Sequence, residues 1–201
     1  MAFTYFFRDM QALEMIRDYA VPVLRTKRHI KIWDAGCAMG PEPYSLAIIL
    51  RENMGKMIFR NVKIVATDID GSNLFKDIIE KGEYPKEQLD RIPRDIFYRY
   101  FEVSGEPDVY RISEELRRCV NFMKHDLLSL KPVEKDFSLI MCKNVLLHFS
   151  YEQRVEVIKM FHENLVPGGY FISEQTQKMP QELAGCFEQV VSNAQIFKKL
   201  S

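Results

Sequence analysis

The stretch "WDAGCAMGPEPYS", Trp33 to Ser45, sets acids among glycines in a way that can hold a charged ligand. An apolar strand ends in Asp34. Gly36 and Gly40 then let the chain turn tightly and let a ligand approach the backbone. The spacing D-x-G-x-x-x-G is not the G-x-G-x-x-G of dinucleotide binders, and no G-K-[ST] follows as a phosphate loop requires. Glu42 enters the start of the next helix, where its charge suits the helix dipole but opposes a pyrophosphate. A carboxylate here suits a cationic group. Asp68, in "VATDID", ends the following strand, where it can accept hydrogen bonds from both hydroxyls of a ribose. The plainer readings are an ordinary turn for the glycines and a helix cap for Asp68 or Asp70. Taken in this order, the features favour a nucleoside that carries positive charge and no phosphate. S-adenosylmethionine, with its adenosine, ribose diol, sulfonium and α-amino group, fits that description.

The elements that must position these residues follow from hydrophobic periodicity. "TYFFRDMQALEMIRDYAVPVL" reads as a helix disturbed near its end by Pro22, and "HIKIWDAG" as a strand halted by glycine. "EPYSLAIILREN" and "SNLFKDIIEKG" read as helices that stop at Gly55 and Gly82. "VKIVATDID", "VNFMKHD", "FSLIMCKN" and "YFISE" read as strands. The helix "YEQRVEVIKMFHENL" has Ser150 and Gln153 in capping-box spacing and is expected to stop before "PGG". Two short strands, Phe187 to Val191 and Ala194 to Lys199, complete the tail. Strands alternating with amphipathic helices imply βαβ units and a parallel sheet covered on both faces. A polar insertion, about 84–118, is expected to carry a turn between two short strands at "SGEPDVYRIS".

Composition narrows the field. The 201 residues suit one domain, 1–201, with the insertion attached to it. Lysine plus arginine equals aspartate plus glutamate at 28 each, so no global field attracts nucleic acid or anionic lipid. Cys37, Cys119, Cys142 and Cys186 form no CxxC pair and read as free thiols. His29, His125, His148 and His162 have no metal-ligand spacing, so no metal site is expected. With no signal peptide and no membrane span in the sequence, a cytoplasmic protein without membrane insertion is expected.

The segments "TYFFRD", "DAGCAMGPEPYSLAI", "VATDID", "KGEY", "HDLLSL", "CKNVLLHF" and "LVPGGYF" occur in an order that resembles the chemotaxis receptor methyltransferases, the CheR family. The resemblance covers nearly the whole chain, from Thr4 to about Phe171. It implies an α/β fold: a Rossmann-like, doubly wound, seven-stranded methyltransferase sheet with a small β insertion. It also implies S-adenosylmethionine as cofactor, S-adenosylhomocysteine as product, and a protein substrate with an accessible carboxylate, a chemoreceptor being the leading case.

Residue by residue, the resemblance has Glu42 engage the cofactor's ammonium, Ala35 and Gly36 lie against it through their backbone, and Asp68 hold the ribose. Asp126 falls where the family usually has asparagine facing the adenine amino group, and Leu127 supplies backbone polar groups and apolar contact to the base. Asn144 stands at the mouth of the transfer site, unless it is only a strand-end turn former. Thr4 and Phe7 line the cofactor pocket. Arg8 is implied as the substrate-orienting catalytic residue. A glutamate carboxylate is already ionised near neutral pH and needs orientation rather than a base, which a guanidinium on one oxygen provides. The plainer reading of Arg8 is an exposed arginine paired with Asp9 or Glu14.

Three departures matter. His148 stands where the family usually has tyrosine beside the transferred methyl; it can donate a hydrogen bond, stack, or act as a base. The family's N-terminal helical domain, which meets acidic receptor helices, has no counterpart before "FFR", so that docking surface is expected to be missing or to belong to another polypeptide. The insertion corresponds to a β-subdomain that binds a receptor tail in some members, and looks short. The expected function is therefore transfer of a methyl group to a protein glutamate. The rivals are a methyltransferase acting on a small molecule or non-receptor protein, a cofactor-binding regulatory module without transfer activity, and, more distantly, a nicotinamide-dependent oxidoreductase.

Overall fold

The sheet that carries Asp34 and Asp68 is assembled from elements strung along almost the whole chain. The computed structural model describes residues 4–176 and 178–200. α1 (Met10–Met15) runs through a wide π-turn (Ile16–Ala20) into α2 (Val21–Leu24). β1 (Ile30–Ala35) leads into α3 (Pro41–Met54) and the short α4 (Lys56–Phe59). β2 (Val62–Asp68) and α5 (Phe75–Lys81) follow. The insertion contributes β3 (Glu83–Pro85), α6 (Arg94–Tyr100), β4 (Phe101–Val103), β5 (Val109–Ile112) and α7 (Glu114–Arg117). β6 (Val120–Lys124), β7 (Phe137–Cys142), α8 (Tyr151–Asn164), β8 (Leu165–Ser173), β9 (Phe187–Gln189) and β10 (Ile196–Lys199) complete the order.

Among the described residues the strands form two sheets. The central one has seven strands in the order β6-β2-β1-β7-β8-β10-β9. β6, β2, β1, β7 and β8 run parallel, and β10 and β9 close the edge antiparallel. The expected sheet is thus present, and its last two strands make it mixed rather than all parallel. The small sheet, β3-β5-β4, is antiparallel throughout.

Side chains alternate across a strand, so each strand feeds both faces. Ile30, Ile32, Ile64, Ala66, Leu139 and Met141 join the core beneath the N-terminal helices and α3. Trp33, Ala35, Val65, Ile140 and Cys142 join the core beneath α8. Trp33 is fully buried there, its indole N–H donating to the Thr67 hydroxyl at 2.8 Å and its ring edge-on to Phe161. Continuing the alternation puts Asp34, Asp68 and Lys143 on the α3 face, all at the carboxyl ends of their strands.

Three sequence expectations shift. The single helix expected from Thr4 starts at Met10, because residues 6–9 form turns and Phe7 takes a left-handed φ of 57°. Pro22 has no amide hydrogen for the carbonyl a turn earlier, and the helix widens into the π-turn before it. "PGG" lies inside β8 rather than before it, since Leu165 already pairs with Phe137; the register shifts before Tyr170 pairs with Leu139. The insertion holds the expected strand–turn–strand and also α6, a helix fixed to α3 where Glu52 accepts from Arg99 and, at 2.5 Å, from the Tyr100 hydroxyl.

Candidate functional site

At the carboxyl end of β1 and the first turn of α3, two carboxyl groups face each other. Asp34 is fully buried, and neither of its oxygens, nor Oε1 of Glu42, meets a donor among the described residues. One proton resolves the conflict. Burial, with repulsion from Glu42 and Asp68, holds Asp34 well above the usual carboxylate range, so it is protonated and donates to Glu42. Burial also pushes Glu42 up to about 7, against the pull of the Asp34 proton and of the Lys143 and Arg8 charges. Burial pushes the thiols of Cys37 and Cys142 up as well, which leaves them unreactive.

Facing this pair is the segment before α1. The Phe7 amide donates to Ser45 Oγ at 2.9 Å, which anchors the segment on α3. Arg8 is exposed, and shares one narrow crevice with Tyr5, Asp9, Glu42 and Lys143. Lys143 is only 3% exposed; its ammonium pairs with Asp9 and donates to the Ser173 carbonyl at 3.2 Å. Thr4 and Phe7 are half-buried, Phe7 packing on the core below.

The glycine turn is stiff. Gly36 (φ 102°) and Gly40 (φ 104°) take left-handed backbones, and a Cβ on them would strike Val145 and the Tyr84 hydroxyl respectively. Asp68 supports the turn from β2, accepting from the Ala38 amide at 2.9 Å and the Asp70 amide at 3.2 Å. Each carboxylate oxygen keeps a further lone pair for a diol. The helix cap is Asp70, not Asp68: it accepts from Ser72, Leu74 and Phe75 at the start of α5. Burial works against that charge, but these bonds hold Asp70 below the usual range.

On the far side of Asp68 the chain turns at Asp126, which is exposed and accepts from the Leu128 amide at 2.9 Å. Leu127 is buried in the α8-side core, so what it can offer a base is backbone. Asn144 is half-buried with a left-handed φ of 58°, a conformation asparagine tolerates well, and so it does serve the turn after β7. His148 ends a one-turn 3-10 helix (Leu146–His148) and is exposed at its rim.

Sequence reasoning missed Lys143 and Glu174, and gave Asp34 no role. Glu174, 4% exposed, accepts from the Asn144 amide at 3.2 Å and the Leu147 amide at 3.1 Å, and so holds the loop that carries Asn144 and His148. The alternation along β7 carried the signal for Lys143, two residues past the inward-facing Met141.

The crevice beside Arg8 holds about 20 Å³, room for a small charged head but not for a nucleoside. A roomier cavity of about 380 Å³ lies under α8, lined by Tyr151, Arg154, Phe171 and Met179, and contains none of the expected site residues. The residues present fit the cofactor chemically: orphaned buried acid for the ammonium, a carboxylate for the diol, a glycine turn for close backbone approach.

The seven-stranded sheet with helices on both faces is that of a Rossmann-like methyltransferase domain, and the family match gives S-adenosylmethionine as its cofactor. The chain matches "CheR methyltransferase, SAM binding domain" over residues 2–196, and it belongs to that family. It is 33% identical over 178 residues to a chemotaxis protein methyltransferase of Borreliella burgdorferi, covering 84% of this chain and 62% of that protein. The corresponding protein of Vibrio parahaemolyticus is 32% identical over 201 residues, covering 98% and 72%. With the relative from Listeria innocua covered to 60%, the chain spans somewhat less than two thirds of several curated relatives. Among solved structures, trans-methyltransferase CalH in complex with SAH has a TM-score of 0.50 at 18% identity over 81% of this chain and 37% of that one, a likeness of fold alone. No helix among the described residues is long and apolar enough to cross a membrane.

Proposed function

We propose that this chain is a single methyltransferase domain that transfers the methyl group of S-adenosylmethionine to a glutamate side-chain carboxylate of a chemoreceptor or related protein, in the cytoplasm. The observation that supports this most is the crevice Arg8 shares with Glu42. Glu42 takes the cofactor's ammonium, Asp68 the ribose, and Asp126 with the Leu127 backbone the adenine. Ala35 and Gly36 lie along the cofactor, and Thr4 and Phe7 close over it. Bound there, the cofactor supplies an electrophilic methyl group on a sulfonium.

Arg8 then does the protein's share of the chemistry. Its guanidinium holds one oxygen of the incoming carboxylate and aims the other at the methyl carbon. No base is required, because the acceptor is already ionised. The ester formed no longer carries the charge Arg8 gripped, so product leaves. Asn144 and His148 line the mouth through which the acceptor enters, on the loop that Glu174 holds.

The test is to label receptor or peptide acceptors with methyl-labelled cofactor and treat the product with base. A glutamyl ester releases labelled methanol. Label that stays on the protein after base treatment marks an amine or hydroxyl acceptor and overturns the proposal.

A further inference from the structure

We propose that Asp34 acts behind Glu42 as a neutral, proton-donating support, and that the cofactor's α-ammonium binds by displacing a second proton, the one Glu42 itself carries. This rests on the reading that Glu42 faces the ammonium. It goes beyond that reading by giving Asp34 a role and making cofactor capture a proton exchange.

Repulsion within the pair accounts for the proton on Asp34, and the buried, unpartnered Oε1 for the second on Glu42. Asp34 is sealed in the sheet with no donor for either oxygen, and Oε1 of Glu42 is buried against it with none either. Two ionised carboxylates in that setting would repel each other strongly, with Asp34 shut off from solvent. The charged groups around the pair relieve it only in part: Lys143 and Arg8 favour the Glu42 charge, and Asp9 opposes it. From β2, Asp68 adds a further negative charge and is itself engaged with the Ala38 and Asp70 amides. From the turn and from β7, Cys37 and Cys142 are buried thiols held neutral. Beyond β8, Glu174 is taken by the Asn144 and Leu147 amides. Lys143, a buried cation that acts on Glu42, is committed to Asp9 and to the Ser173 carbonyl. Arg8, from the N-terminal segment, acts on Glu42 across the open side of the crevice.

The exchange balances. The O–H bond of Glu42 breaks, its proton passes to solvent, and the carboxylate left behind pairs with the ammonium. Asp34 keeps its own proton throughout and donates it to Glu42, which fixes the orientation of the carboxylate that meets the ligand. Asp34 is therefore a positioning residue; it does not touch the ligand.

Isothermal titration calorimetry in buffers of different ionisation enthalpy reads the exchange directly. With S-adenosylhomocysteine the chain is expected to release about one proton per ligand at pH 6 and almost none at pH 8, and to bind about tenfold more weakly at pH 6. The control, 5′-methylthioadenosine, has the nucleoside without the amino acid, and its binding is expected to release no proton at either pH. Asp34→Asn, which keeps a neutral donor, is expected to hold affinity within about threefold and the pH midpoint within about half a unit. Asp34→Ala removes the donor and is expected to weaken S-adenosylhomocysteine by tenfold or more. If that variant does not fold, Asp34→Asn still decides. Two results overturn the proposal while leaving the cofactor site standing: pH-independent binding of S-adenosylhomocysteine without proton release, or a midpoint that falls by about a unit or more in Asp34→Asn, the sign of an ionised Asp34. Failure of both nucleosides to bind the wild-type chain overturns the cleft assignment as well.

Discussion

Lys143 reaches from the end of β7 to pair with Asp9, a residue 134 positions earlier, and so fastens the segment that carries Arg8 to the middle of the sheet. The lysine side chain is 2% exposed and the aspartate 30%. Asp9→Ala strands a buried ammonium with only the Ser173 carbonyl, and is expected to destabilise the fold by about 3 kcal/mol, the low end for a broken buried pair. Lys143→Met keeps the volume without the charge and is expected to cost less than about 1 kcal/mol. Thermal unfolding of the two variants checks this; Asp9 also caps α1 by accepting from the Ala12 amide at 3.1 Å, so a difference no larger than the roughly 1 kcal/mol a cap is worth would show that the ion pair adds nothing.

Arg8→Ala is expected to spare cofactor affinity and to remove transfer to carboxylates. Calorimetry with S-adenosylhomocysteine and the methanol-release assay, run side by side, separate the two effects. Turnover retained at the wild-type rate would take Arg8 out of the mechanism.

Glu42→Ala and Asp68→Ala each delete a charge-assisted hydrogen bond to the cofactor, worth about 1.5–3 kcal/mol, or about 10- to 150-fold in affinity. They are expected to differ in stability. Asp68→Ala also frees the Ala38 and Asp70 amides and so loosens the glycine turn, whereas Glu42→Ala removes a half-buried carboxyl whose Oε1 has no partner among the described residues. Unchanged affinity in both variants would count against the pocket.

Stability of the ligand-free chain should depend on pH through the same pair. Glu42 titrates near 4.5 ordinarily and at about 7 in the fold, so between those values the native state holds more protons than the unfolded one. The stabilisation is complete below about 4.5 and is lost as pH rises through about 7. Asp34, raised in the same direction, adds to the trend. The ammonium of S-adenosylhomocysteine replaces the lost proton, so the rise in Tm it causes is expected to be larger at pH 8 than at pH 6. Melting curves at both pH values, with and without ligand, test this, and an equal rise would argue against the pairing.

The frame was legible because its signals are local. Short apolar, β-branched-rich runs located β1, β2, β6 and β7, and Ser150 with Gln153 forms the capping box their spacing announced. Gly55 and Gly82 end helices where expected. The site was half legible. Glu42, Asp68 and Arg8 stood inside recognisable motifs, whereas Lys143 and Glu174 act through partners about 30 to more than 130 residues away, a pairing no short window contains. The N-terminal segment misled for another reason. Its apolar periodicity suits a helix, but Ser45 captures the Phe7 amide and the chain turns there instead. Asp68 and Asp70 were equally good caps on paper, and only the coordinates of the Phe75 and Ala38 amides assign each to its task.

The long span between Asp9 and Lys143 has a consequence for birth of the molecule. During synthesis the arginine strap leaves the ribosome before its buckle, Lys143, is made, and the Ser173 carbonyl comes later still. The strap cannot fasten until the chain past β7 has been made, so chains stopped short of Lys143 do not hold the arginine in place.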